Sequence, residues 1–197
     1  NDPDPRAWRL PSGAFDIPLV LHDRVFDVAG KAYYDLFDLD GALGDKLTVN
    51  GRIQPFLRVA RRKYRFRLVN MGPSRTYALF LSTGQPMVQI AHDGCMLSRP
   101  EPVRDVRLAV SQRCDVIVDF SRLTDGTALH LVNCQEQTEG RGPTARTLPR
   151  GAGARVLRFI VDGSPPANGD PSRIPPAFRE PPAVGQAEVV TTRTLAF

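Results

Sequence analysis

The side chains able to do chemistry are few and scattered. Three histidines, His22, His92 and His130, and three cysteines, Cys95, Cys114 and Cys134, are the imidazoles and thiols from which a transition-metal site would be assembled. The nearest thing to a ligand pair is His92-x-x-Cys95. Its central Asp93-Gly94 reads as a tight turn that would carry both side chains on one rim, but no third ligand is evident, and a solvent-satisfied turn histidine accounts for the pattern. His130, between Leu129 and Leu131, reads as a hydrogen-bonded or surface histidine of a strand, and His22, ahead of Asp23-Arg24, as an ordinary polar residue. Spacing gives none of them a carboxylate partner, so none is assigned as a base. The cysteines cannot all pair and contain no C-x-x-C; they read as buried free thiols rather than a disulfide framework. Ser74 and Ser111 lie in no G-x-S-x-G elbow. Asp115 and Asp119 stand four apart on one strand, about 13 Å along it at ~3.3 Å per residue, too far for a retaining carboxylate pair. They read as solvated. No residue is assigned as catalytic, cofactor-binding or metal-ligating.

The elements that would carry these residues are strands. The stretch 44–70 is the most informative: Leu47-Thr48-Val49 and Arg52-Ile53-Gln54 flank Asn50-Gly51, the pair that accepts positive φ at both centres of a type I′ hairpin turn. Pro55 cannot donate to a central ladder and marks an edge or a strand end. In Tyr64-Arg65-Phe66-Arg67-Leu68 the period of two predicts one buried face, with Arg65 and Arg67 in water. Further strands are predicted over 17–21, 24–28, 77–82, 87–91, 95–97, 106–110, 114–120, 128–132 and 155–161, with 33–37 an ordered loop and 135–153 an exposed one. On 114–120, Val116, Val118 and Phe120 share one face, while Asp115, Ile117 and Asp119 make a mixed opposite face.

Composition agrees. A chain of 197 residues is long enough to bury a core without staples, and 16 Gly with 18 Pro suit short strands and tight turns. No apolar run approaches the length of a membrane span, and Asn1-Asp2-Pro3-Asp4-Pro5 lacks the pattern of a signal peptide, so the expectation is a soluble piece. The net charge of +5, concentrated partly in Arg58, Arg61, Arg62, Lys63, Arg65 and Arg67, is the solvated side of a sheet. Without a reading helix, zinc pattern or RNA-binding motif, it does not point to nucleic acid. The fold class expected is all-β, two packed antiparallel sheets with Tyr64, Phe66, Leu68, Leu79, Leu81, Val116, Val118, Phe120, Leu157 and Phe159 in the core.

Taken in order, five stretches say more: 10–24 (LPSGAFDIPLVLHDR), 49–77 (VNGRIQPFLRVARRKYRFRLVNMGPSRTY), 90–94 (IAHDG), 111–121 (SQRCDVIVDFS) and 136–144 (EQTEGRGPT). Together they resemble the middle, copper-free domain of three-domain multicopper oxidases of the bacterial laccase, bilirubin oxidase and phenoxazinone synthase type, with Gln112 in place of a usual Glu. The resemblance implies a cupredoxin-like Greek-key sandwich. It implies a parent that oxidises phenolic, bilirubin-like or metal-ion donors at a mononuclear copper and passes electrons to a three-copper cluster reducing dioxygen to water. It also implies an exported or spore-coat parent, with the flanking cupredoxin domains as partners. In that family the trinuclear ligands come in H-x-H pairs. This sequence has none, and no Cys closely followed by His.

On that reading, 1–16 is an incoming linker, 17–163 the cupredoxin-like domain, 164–187 a Pro-rich interdomain linker, and 188–197 the first strand of a following domain. The chain alone is expected to hold no copper and to be inactive as an oxidase. The alternative is a stand-alone β-sandwich binding module using the 135–153 loop. A small copper electron carrier fails on ligand count.

Overall fold

The computed structural model describes residues 8–35, 37, 39–180 and 185–195. Strands β1 (Asp16–Phe26), β2 (Ala32–Tyr33), β3 (Lys46–Val49), β4 (Arg52–Ile53), β6 (Lys63–Asn70), β8 (Met87–His92), β9 (Cys95–Val103) and β11 (Arg113–Asp119) form one sheet. It runs in the order β4-β3-β1-β6-β11-β8-β9, with β2 beside the end of β1. The second sheet, β10-β7-β12-β13-β5, takes β5 (Phe56–Val59), β7 (Tyr77–Leu81), β10 (Asp105–Leu108), β12 (Ala128–Asn133) and β13 (Ala154–Val161). Most neighbours are antiparallel; β1·β6 and β13·β5 run parallel. Two such sheets packed face to face form a β-sandwich.

Local chemistry explains the elements. Asn50 and Gly51 both take positive φ, 50° and 78°, closing the β3–β4 hairpin as the Asn-Gly pair requires. Pro55 precedes β5, an edge strand of the second sheet, where a missing N–H costs nothing. On β6, Tyr64, Phe66 and Leu68 are buried, and Phe66 lies with its ring centroid 5.3 Å from that of Phe159 on the facing sheet. All ten residues expected in the core are buried there.

Four expectations need correcting. The runs 17–21 and 24–28 are not two strands: residues 16–26 are one strand, which pairs in parallel with β6 up to Leu21 and then antiparallel with β3 and β2. The polar His22-Asp23 that looked like a break lies inside it, because a side-chain partner elsewhere neutralises Asp23. Arg65 and Arg67 are not alike, since the Arg65 side chain is 13% exposed and paired with Asp115, while that of Arg67 is 52% exposed beside Asp16. Asp115 is accordingly an ion-pair partner and not a solvated carboxylate. β9 runs on to Val103 through Pro100 and Pro102, which an edge strand tolerates.

The Pro-rich stretch does not stand off the sandwich. Asp170 accepts hydrogen bonds from Arg62, from the Lys63 amide and from Ser172, and the Phe178 amide bonds the Ser98 carbonyl. Phe178 is buried with Leu10, Ile90 and Ile117, its ring edge-on to Trp8 at 5.2 Å. The apolar side of β11, seen in sequence only as a mixed face, is thus covered by a strap of residues 170–178 and by residues 8–12. The expected strand 188–197 has no partner in its described residues: Gln186–Glu188 is a 3-10 turn and 189–195 joins no ladder. Residues 1–7, 181–184 and 196–197 of the expected linkers and strand lie outside the described residues.

Candidate functional site

The residues singled out for chemistry do not converge. His22 sits on β1 and His92 at the end of β8, both in the first sheet, whereas His130 is on β12 in the second. The His22 Nδ1 lies 2.7 Å from the Asp23 carbonyl oxygen, and the ring lines a groove of about 170 Å³ with Tyr33, Tyr34 and Pro73. His92 and Cys95 do face each other across the Asp93-Gly94 hairpin, whose φ angles of 48° and 84° are those of a type I′ turn. The Asp93 carboxylate lies 3.3 Å from His92 Nε2. His130 has its pKa lowered by burial first and by Arg155 and Arg158 after that.

The thiols are no more suited to ligation. Cys114 is buried and pushed up to about 12 by desolvation, with Asp115 and Asp93 adding to it; burial likewise raises Cys134. A protonated, buried thiol is neither ligand nor nucleophile. Among the described residues no three His, Cys, Asp or Glu side chains gather where an ion could sit, so the residues present do not fit a copper centre. The Ser74 hydroxyl accepts the Ala42 amide, and Ser111, at φ 67°, makes the turn before β11. Asp119 accepts the Ser121 amide at a strand end.

A different constellation is built, at the end of the sandwich where β1, β6 and β7 meet three loops. Asp23 has a fully buried side chain. Its Oδ2 accepts from Arg75 Nε at 2.9 Å and from the Gly44 amide at 2.7 Å, and Arg75 Nη2 donates to the Gly44 carbonyl. Asn70, also buried, donates to the carbonyls of Arg75 and Leu108 and accepts the Gly72 amide. A side chain at position 72 would put a Cβ 2.6 Å from Asp23 Oδ1, which explains a glycine there. Beside them the Tyr77 hydroxyl is buried, and burial, then the charge of Asp23, pushes its pKa far above the ordinary value.

The loop 135–149 is fastened to the same end. Gln137 accepts the Thr76 amide and donates to the Ser74 carbonyl. Gln135 donates to the carbonyls of Thr144 and Arg146, and Arg141 pairs with Asp40 where the backbones of Gly41 and Gly140 touch. The loop is largely exposed, as expected, and its own polar groups fasten it in place. Chemically the constellation pairs one buried cation with one buried anion and saturates loop carbonyls; it offers no nucleophile and no base aimed at open space. Its product is shape. Sequence reading missed Asp23, Asn70, Arg75 and Gln137 as a set, and the one available signal was an aspartate embedded in the apolar run 19–26.

No family model matches the chain. A laccase of Bacillus subtilis is 31% identical over 99% of this chain and 39% of its own length. The cell division protein FtsP of Xenorhabdus nematophila is 40% identical over 62% of this chain and 26% of its own. Among solved structures, a variant of the McoA multicopper oxidase from the hyperthermophile Aquifex aeolicus superposes with a TM-score of 0.77 at 28% identity, covering 92% of this chain and 38% of that one. The chain thus spans well under half the length of the proteins it matches. With its all-β, cupredoxin-like sandwich, it is a homologue of part of the multicopper oxidases, laccases among them.

Proposed function

We propose that the chain is the copper-free middle domain of a multicopper oxidase, a rigid spacer that holds two copper-bearing cupredoxin domains in register and walls one side of the substrate cleft. The observation that carries this reading is a likeness extending over 99% of the chain but 39% of the laccase, joined to histidines and cysteines that do not converge. On this reading the parent oxidises phenolic, bilirubin-like or metal-ion donors and reduces dioxygen to water, with every copper ligand supplied by the flanking domains. The chain contributes no step of electron transfer. The stitched loops 39–45, 71–76 and 135–149 present a fixed surface at one end, the kind of surface a neighbouring domain or a cleft wall requires.

The test is metal analysis, a visible spectrum and a phenol-oxidase assay on the purified chain after incubation with copper. The expected result is no stoichiometric copper, no blue absorption band and no turnover. Stoichiometric copper with a blue band would overturn the proposal and send attention to His92 and Cys95. A second reading, a binding module in a protein that is not an oxidase, draws on the relative named for cell division. There the 135–153 loop would be the contact surface, and loss of partner binding on replacing Gln137 would support it.

A further inference from the structure

On the strapped face, residues 9–12 and 171–172 enclose a groove of about 380 Å³ that takes no part in the loop constellation. Two guanidinium side chains, Arg9 and Arg62, and the hydroxyl residues Ser12 and Ser172 line it, and no carboxylate does. Its remaining walls are apolar, with Leu10, Phe15 and Pro171 among them.

Arg62 is held in a fixed pose. Its guanidinium carbon lies 3.5 Å from the centroid of the Phe15 ring, and its Nη2 donates to Asp170 at 2.9 Å. That leaves Arg62 Nε buried and without an acceptor among the described residues, a group left unsatisfied beside the groove that Arg62 lines. Asp170 offsets one of the nearby positive charges, and its oxygens are engaged by Arg62, by the Lys63 amide and ammonium and by Ser172. Arg9, Arg62 and Lys63 against Asp170 leave the groove positive. Arg9 forms no ion pair with a described residue, Ser12 caps nothing with its side chain, and the Arg9 carbonyl is tied to the Arg173 amide, so this wall is anchored to the strap. Planar guanidinium forks match a carboxylate in two bonds, and apolar walls favour an organic anion over an inorganic one.

We propose that this groove binds a small organic carboxylate, its carboxylate between Arg9 and Arg62 and its hydrocarbon body against Leu10, Phe15 and Pro171. The site is independent of the oxidase reading. Benzoate, acetate and inorganic phosphate titrated into the chain, followed calorimetrically and by two-dimensional NMR, provide the test. The expected result is saturable benzoate binding, tighter than acetate or phosphate, with shifts confined to residues around 9–15, 62 and 171–172. Arg9→Gln, at an exposed position, should weaken it roughly tenfold, the loss of one charge-assisted contact, while leaving the urea midpoint unchanged. Absence of saturation, equal binding by Arg9→Gln, or phosphate binding tighter than benzoate would each overturn the proposal.

Discussion

Arg75 Nε lies 2.9 Å from Asp23 Oδ2, joining residues 52 positions apart. The Asp23 side chain has no exposure and that of Arg75 only 15%. Removing one member of such a pair strands the other's charge in the interior, which costs about 3 to 5 kcal/mol. Arg75→Met is therefore expected to lower the unfolding free energy by that much in urea titration. Adding Asp23→Asn, which removes the stranded charge but keeps an acceptor for the Gly44 amide, should recover part of the loss. A double variant less stable than the single one would show that charge is not the cause.

Phe66 is the hub of the core. It is 1% exposed and packs against Tyr64, Phe120 and Phe159. Phe66→Ala should destabilise by about 3 to 5 kcal/mol. Val190→Ala, at a side chain 95% exposed, should move stability by less than about 0.5 kcal/mol. An unmoved urea midpoint for Phe66→Ala would contradict the strand facing.

Asp170 makes the strap sensitive to acid. Burial alone would raise its carboxyl; hydrogen bonds from the Ser172 hydroxyl, the Lys63 amide and the Ser172 amide, with the Lys63 charge, outweigh it and bring the pKa from 3.8 to about 2. A depressed folded-state pKa contributes stability that is complete above the ordinary value and is lost as pH falls through the folded one. Strap docking should therefore weaken between about pH 4 and pH 2. Trp8, the only tryptophan, touches Phe178, so its fluorescence should report the release. In Asp170→Asn the acid step should vanish.

The cysteines should separate by access. A thiol reagent at pH 8 is expected to titrate Cys95 quickly in the native chain, and to reach Cys114 and Cys134 only on unfolding, since both are buried with raised pKa values. Three fast thiols would mean that the sandwich opens at both Cys114 and Cys134 in the native state.

What could be read in the sequence was whatever is decided within a few residues. Asn50-Gly51 specified its turn through φ alone, and Tyr64, Phe66 and Leu68 specified their face through the period of two. What could not be read was decided at a distance. Arg65 looked solvated because Asp115 was fifty residues away. The run 16–26 looked divided because Arg75, which neutralises its aspartate, lies beyond five more strands. Phe178 looked like part of a tether until Ile90 and Ile117 supplied an apolar seat for it. The Asp23 cluster was invisible for the same reason: Asp23 meets Gly44 and Arg75, 21 and 52 positions away.

The parallel pairing of β5 with β13 also has a kinetic side. Phe56–Val59 must wait for Arg158–Val161, about a hundred residues later, before its ladder closes. Loop closure of that length comes before any reward, so the sandwich should be a slow folder, in the millisecond-to-second class of non-local β topologies. During synthesis the unpaired side of this segment, with Phe56 at its start, is open until nearly the whole sandwich has left the ribosome. Pro55 ahead of it and Arg58 within it act as guards against pairing with another nascent chain in that interval.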